Sequence, residues 1–217
     1  MNKLIKSSLI IIDLQVDFCP GGALAVKGGD EIVSGINNLI EYSNADPGIF
    51  QKIILTADWH PLSHISFAST HDPDPFSAKE IQGIDVTLWP DHCVEGSSGA
   101  NFHSMLHSEK ADLIIRKGRA KEMDSYSAFF ENDRKTATGL RGYLTDHGIE
   151  RVYICGLALD WCVYFSAMDA VNHGFETYVI IDLTRSIDLP AGYALDKENE
   201  MKQAGIKIID SSYFKGE

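Results

Sequence analysis

The chain has 217 residues, 44% of them apolar and 23% charged, with 31 acidic against 19 basic side chains and a formal net charge of −12. A unit of roughly 100–250 residues buries a full core without disulfides or a structural metal, and this composition excludes disordered and fibrous classes. The acidic balance argues against a nucleic-acid backbone or an anionic membrane as partner, because both attract basic surfaces.

At the start, Lys3 and Lys6 ahead of an apolar run imitate a secretion signal, but Asp13, Gln15 and Asp17 cut that run short. No other stretch approaches the roughly 18 apolar residues of a membrane span. The expectation is a cytoplasmic protein whose four cysteines are thiols. Leu9–Ile12 opens a series of short β-branched runs that continues at Lys52–Thr56, Leu113–Arg116, Arg151–Cys155, Tyr178–Ile181 and Ile206–Ile209. Lacking polar alternation, they read as buried strands of a parallel sheet. Helical patterns lie between them. Asp30–Tyr42 places Ile32, Val33, Ile36, Leu39 and Ile40 on one face, and Thr136–His147 ends at Gly148. Asp160–His173 is closed by Gly174, while Ala191–Ala204 is opened by Pro190 and closed by Gly205. The alternation predicts one three-layer α/β/α domain over residues 1–217, with a mainly parallel six-stranded sheet and right-handed crossovers. Trp59 to Ser108 breaks the rhythm and reads as a structureless insertion, of a length more often functional than idle.

In open α/β sheets ligands bind outside the carboxyl ends of the strands. The first run ends in Asp13, the second leads into Asp58 and His60, the third ends in Lys117, and the helix after the fourth carries Cys162. Singly, these residues read equally well as a cap, a solvated strand end and a small core residue. Together they form a cysteine, lysine and carboxylate set suited to acyl transfer. In the first turn of its predicted helix Cys162 is favoured as a thiolate by the macrodipole, and Lys117 lowers its pKa further. Asp13 supplies the carboxylate that takes the thiol proton and later hands it to a leaving group. Cys155 reads as inert core, and Cys19 and Cys93 lie in loops without an obvious base. The stretch from Asp58 through His60 to His64, with His92 further on, suits one divalent ion (Zn, Fe or Mn); on spacing alone a solvated polar loop stays equally open. Phe18 and Trp89 read either as rings that stack on a flat substrate or as ordinary packing. Asp124–Phe129 follows the Lys117 strand as a candidate pocket wall.

Several motifs stand in order along the chain: Asp13-Leu14-Gln15-Val16-Asp17-Phe18-Cys19, Asp58-Trp59-His60 with His64, Trp89-Pro90-Asp91-His92-Cys93, Arg116-Lys117-Gly118, Asp124-Ser125-Tyr126 and Ala158-Leu159-Asp160-Trp161-Cys162. Together they resemble bacterial nicotinamidases (pyrazinamidases) of the isochorismatase-like hydrolase superfamily. The resemblance runs from about Leu9 to the final strand and departs at Leu159, where many relatives carry threonine. It implies an isochorismatase-like hydrolase fold and a metal-dependent cysteine amidohydrolase that converts nicotinamide to nicotinate and ammonia, and pyrazinamide likewise. It implies Cys162 as nucleophile, Asp13 as general acid and base, and Lys117 as the supporting cation. The N–H groups of Ala158 and Cys162, after a cis Leu157–Ala158 peptide, would form the oxyanion hole. Phe18, Trp89, Tyr126 and Leu157 would surround the substrate, and Asp58, His60, His64 and His92 would hold one divalent metal ion. The expected partner is then the small molecule nicotinamide, without nucleic acid or membrane, and the chain is expected as a monomer or small homo-oligomer. Rival readings are an isochorismatase-like or carbamoyl amide hydrolase that needs no four-ligand metal site, and a non-catalytic metal-binding module.

Overall fold

The structure is a computed structural model that describes residues 5–43, 49–72, 74–81 and 83–215. In chain order its strands are β1 (Ser7–Ile12), β2 (Lys52–Asp58), β3 (Ala78–Ile81), β4 (Ile84–Thr87), β5 (Leu113–Lys117), β6 (Arg151–Leu157), β7 (Glu176–Arg185) and β8 (Lys207–Ile209). The α-helices are α1 (Val33–Tyr42), α2 (Leu140–Asp146), α3 (Tyr164–Asn172) and α4 (Tyr193–Gln203). Six strands form one sheet in the order β5-β2-β1-β6-β7-β8, and every pairing in it is parallel. All six coincide with the apolar runs of the sequence; the inner strands β1, β2, β6 and β7 are largely buried on both faces, as their lack of alternation requires, whereas the edge strands β5 and β8 are partly exposed.

Successive residues of a strand point to opposite faces, and this divides the core in two. Leu9 and Ile11 of β1 join Ile36, Leu39 and Ile40 of α1 on one face. Ile10 and Ile12 meet Leu140 and Leu144 of α2, Ala167 and Ala170 of α3 and Met201 of α4 on the other. The result is the three-layer arrangement, with one helix below the sheet and three above. Among the described residues no helix is long and apolar enough to cross a membrane.

Among the differences from the sequence reading, three bear on the arrangement of the fold. The helix expected from Thr136 begins only at Leu140, because Thr136 is held in a turn by the Asp133 carboxylate and Thr138 Oγ1 donates to Ala128 O at 2.6 Å. β7 runs to Arg185, past the expected Ile181, because a register shift between Ile154 and Gly156 lets its polar end keep pairing with β6. The insertion is not structureless: β3 and β4 pair as an antiparallel hairpin within it.

Candidate active site

Parallel strands all end on one edge, and their register decides which residues meet there. Asp58 of β2 pairs with Lys117 of β5, and Ile12 of β1 pairs with Gly156 of β6. Asp13, Asp58, Lys117 and the turn after Leu157 therefore become neighbours at the carboxyl edge, the usual ligand edge of such sheets. Gly156 permits the close approach of β6 to β1, since a Cβ there would collide with the Ile12 carbonyl oxygen. Beyond a cis Leu157–Ala158 peptide the chain makes a π-helical turn, Leu159–Val163, and Cys162 lies inside it, ahead of α3. The sequence pattern anticipates a regular helix start here. Instead the N–H groups of both Trp161 and Val163 donate to Ala158 O at 3.1 Å.

Lys117 joins the parts. Its fully buried ammonium lies 2.9 Å from Asp13 Oδ2 and 3.4 Å from Cys162 Sγ, donates to Ser125 O at 3.1 Å, and also donates to Asp58 Oδ1. The Thr56 hydroxyl donates to the other Asp13 oxygen at 2.6 Å. Burial penalises every charge in this group, and neighbours decide which groups keep one. Burial lifts the Asp13 carboxyl above its ordinary value, although Lys117 pulls the other way. At Asp58 burial also resists ionisation, but Lys117 and His60 overcome it and hold the carboxyl well below the usual range. Lys117 stays charged because Asp13 and Asp58 more than offset its burial. The Cys162 thiol is pushed well up by burial; Lys117 opposes this while Asp13 and Asp58 add to it. Burial, reinforced by the two carboxylates that share the lysine's charge, thus opposes the thiolate expected from the helix start. A protonated thiol beside a carboxylate of raised pKa suits proton transfer during attack.

Asp58 also faces two imidazoles. His60 Nε2 and His92 Nε2 lie 3.6 and 3.8 Å from Asp58 Oδ2. The Nδ1 of each ring meets a backbone carbonyl, Gly118 O at 2.9 Å and Pro90 O at 2.8 Å, so Nδ1 carries the proton and Nε2 is left as a donor atom for a cation. One carboxylate and two such imidazoles, with donor atoms within 4.8 Å of one another, fit a first-row divalent ion. Gly118 makes room for this: at φ +64 it occupies the left-handed region, and a Cβ there would collide with the His60 ring. His64 is turned elsewhere. Its Nε2–H donates to Met123 O at 3.0 Å, its Nδ1 accepts from Ser66 Oγ at 2.7 Å, and its ring stacks on His60 at 4.2 Å. Burial, then His60, hold its pKa down at about 4. Its donor atoms group with those of His60 and Asp124, apart from Asp58 and His92.

Between the thiol and the imidazoles lies a small cavity walled by Phe18, Trp89, Tyr126, Ala158 and Trp161, with Cys162 on its surface. Three of the four residues expected around a substrate, Phe18, Trp89 and Tyr126, line this cavity. Leu157 does not: its fully buried side chain packs in the core on the α1 side. Sequence reasoning assigned nothing to Trp161, Leu24 or Ile187, which also line the cavity. Only Trp161 carried a signal, its place beside Cys162. Ile187 is held over the cavity by Asp160, whose carboxylate accepts the N–H groups of Ile187 and Asp188 at 3.0 and 2.7 Å. Cys155 is fully buried, as expected of a core thiol, and Cys19 and Cys93 are buried as well.

Residues 7–212 match the family model described as the isochorismatase domain. The nicotinamidase of Acinetobacter baylyi is 44% identical over 97% of this chain and 95% of its own length. Among solved structures, a nicotinamidase and pyrazinamidase of Acinetobacter baumanii superposes with a TM-score of 0.91 at 43% identity, over 98% of this chain and 100% of that one. A pyrazinamidase of Pyrococcus horikoshii in complex with zinc matches with a TM-score of 0.76 at 36% identity, over 94% of this chain and 99% of its own.

Proposed function

The chain belongs to the isochorismatase family, and on that footing we propose that it is a metal-dependent nicotinamidase, a cysteine amidohydrolase that also accepts pyrazinamide. The observation that carries the reading is the set of contacts around Lys117. They gather a thiol, a proton-accepting carboxylate and one member of a three-donor cation site around a single aromatic-walled cavity.

Asp58, His60 and His92 would hold one divalent cation, Zn, Fe or Mn, with His64 bracing His60 from behind. Bound there, the ion supplies a Lewis-acidic positive centre for a ring nitrogen of the substrate. Phe18, Trp89 and Tyr126 enclose the ring. Cys162 Sγ attacks the carboxamide carbon while Asp13 takes the thiol proton. The N–H groups of Ala158 and Cys162 receive the developing oxyanion, a role in which one donor is worth about a hundredfold or more in rate. Asp13 then protonates the departing nitrogen, ammonia leaves, and a thioester remains on Cys162. In the second half Asp13 takes a proton from the attacking water and returns it to the sulfur as nicotinate departs. Lys117 keeps Asp13 and Asp58 oriented throughout. We assign residues 1–217 to one hydrolase unit acting in the cytoplasm, where its four unpaired thiols stay reduced.

Ammonia release from nicotinamide, with and without a chelator, tests this reading. Wild type should be active and chelator-sensitive; Cys162→Ala should lose about a thousandfold or more, and Cys155→Ala should keep most of its activity. An active Cys162→Ala protein would overturn the mechanism. Activity indifferent to thorough metal removal would favour the rival hydrolase that uses no ion.

A further inference from the structure

A second cavity adjoins the first. It is an open groove of about 610 Å³ walled by Phe76, Leu189, Pro190 and Tyr193, and it shares Trp89 and Trp161 with the inner cavity. Among the described residues, no charged side chain lines it. Phe76 precedes the β3–β4 hairpin, whereas Leu189, Pro190 and Tyr193 come from the segment that leads into α4, so the groove runs between two separate parts of the chain. Phe76 and Leu189 are 45% and 47% exposed, large apolar side chains standing open to water beside the reaction cavity.

The inner cavity has a free volume of about 20 Å³, the room of about one water molecule. The wall that this narrow cavity shares with the groove is the Trp89–Trp161 pair, edge to face with centroids 4.7 Å apart. The two indoles are not equally anchored. Trp89 Nε1–H donates to the Tyr126 hydroxyl at 3.3 Å. Trp161 Nε1–H is buried without an acceptor, and its ring packs on Tyr193 at 5.5 Å. A buried N–H without a partner costs free energy, which a ligand acceptor at this boundary would recover.

We propose that the groove is a second subsite of the same active site, built for the outer aromatic ring of a carboxamide whose reacting amide lies at Cys162. The substrate class is then aryl-substituted pyridine carboxamides, alongside nicotinamide itself. This rests on the nicotinamidase reading above. A groove whose described walls are neutral and mostly aromatic or aliphatic, with the Thr87 side chain and the Trp161 N–H as its polar groups, favours a flat uncharged group over a charged one, because stacking and burial are most of what it offers. Its continuity with the reaction cavity through two shared indoles marks the occupant as part of the substrate.

The test compares ammonia release from 5-phenylnicotinamide and from nicotinamide in wild type and in a Phe76→Ala, Tyr193→Ala double variant, neither position lining the inner cavity. The double variant should lower kcat/KM for the phenyl-substituted amide about tenfold or more and leave that for nicotinamide within about threefold. Equal losses on both substrates, or no loss on the larger one, overturn the proposal. Calorimetric titration with 5-phenylnicotinate separates it from the activity reading. If neither amide reacts, yet the acid binds wild type and binds the double variant about tenfold more weakly, the activity reading falls and the groove stands. Nicotinamide hydrolysis without any binding of the phenyl compounds overturns the groove alone. Sedimentation velocity covers a second copy of the chain: a dimer that the double substitution dissociates makes the groove a contact between copies and overturns the subsite.

Discussion

Lys117 faces two carboxylates with one ammonium, and all three groups are buried, Asp58 alone keeping a small exposed edge at the cavity. Removing one partner of such a buried group strands a charge and costs about 3–5 kcal/mol; the lysine is therefore structural and chemical at once. The imidazoles divide more cleanly. His92 turns a free Nε2 toward Asp58, while both nitrogens of His64 are engaged by Ser66 and Met123. His92→Ala should accordingly weaken divalent-ion affinity by well over about a hundredfold, and His64→Ala by about tenfold, the range for a residue that orients a ligand. Competition with a fluorescent chelator measures both. Equal losses would put His64 among the ligands themselves.

At the level of elements, the end of β5 carries the second constraint. Gly118 combines a left-handed backbone with the His60 ring where a Cβ would sit, whereas Gly139, also left-handed, has open space around it. Both Gly118→Ala and Gly139→Ala should cost about 1 kcal/mol or more of stability in urea unfolding, from backbone strain alone. Only Gly118→Ala should also lose divalent-ion affinity; an unchanged affinity would show that His60 accommodates the methyl group without leaving its seat. The sequence made the sheet legible because its inner strands, buried on both faces, need unbroken apolar runs, and the polar residues Asp13, Asp58 and Lys117 at the ends of the first three runs then marked the candidate edge. Other features depended on geometry that spacing does not encode. The β3–β4 hairpin hid because Ala78-Lys79-Glu80-Ile81 is short and half polar. The π-turn around Cys162 arises from the choice of Ala158 O as acceptor, and the position of His64 from which nitrogen meets Met123. Leu157 sits beside the reactive turn in sequence, but the alternation of β6 sends its side chain to the core.

For the whole molecule, the charge of −12 weighs against compactness through self-repulsion, and local pairs answer it. Glu176 ties three strands together, accepting from Arg151 of β6 at 2.8 Å and from Lys207 of β8 at 2.6 Å. Partial burial opposes its ionisation, but these donors bring its pKa down to about 2 from an ordinary 4.5. An acid whose pKa is lowered by folding stabilises the fold fully above its unfolded value and loses that contribution as pH falls through the folded one. The stability gap between wild type and Glu176→Gln should therefore be widest above about pH 5 and close between pH 4.5 and about 2. Urea midpoints at several pH values measure it, and a gap that stays constant on acidification would show that the pair contributes nothing through charge. The order in which the chain supplies its reactive parts has a consequence for biosynthesis. Asp13, Asp58, His60, His92 and Lys117 all precede β6, whereas Cys162 follows it. On the roles proposed above, a nascent chain carries its acid and its ion-binding side chains well before its nucleophile, and the thiol comes into place only as β6 closes against β1. Recovery of amidase activity on refolding is consequently a reporter of that last central pairing, and a polypeptide truncated before it is chemically silent however much of its cation site it retains.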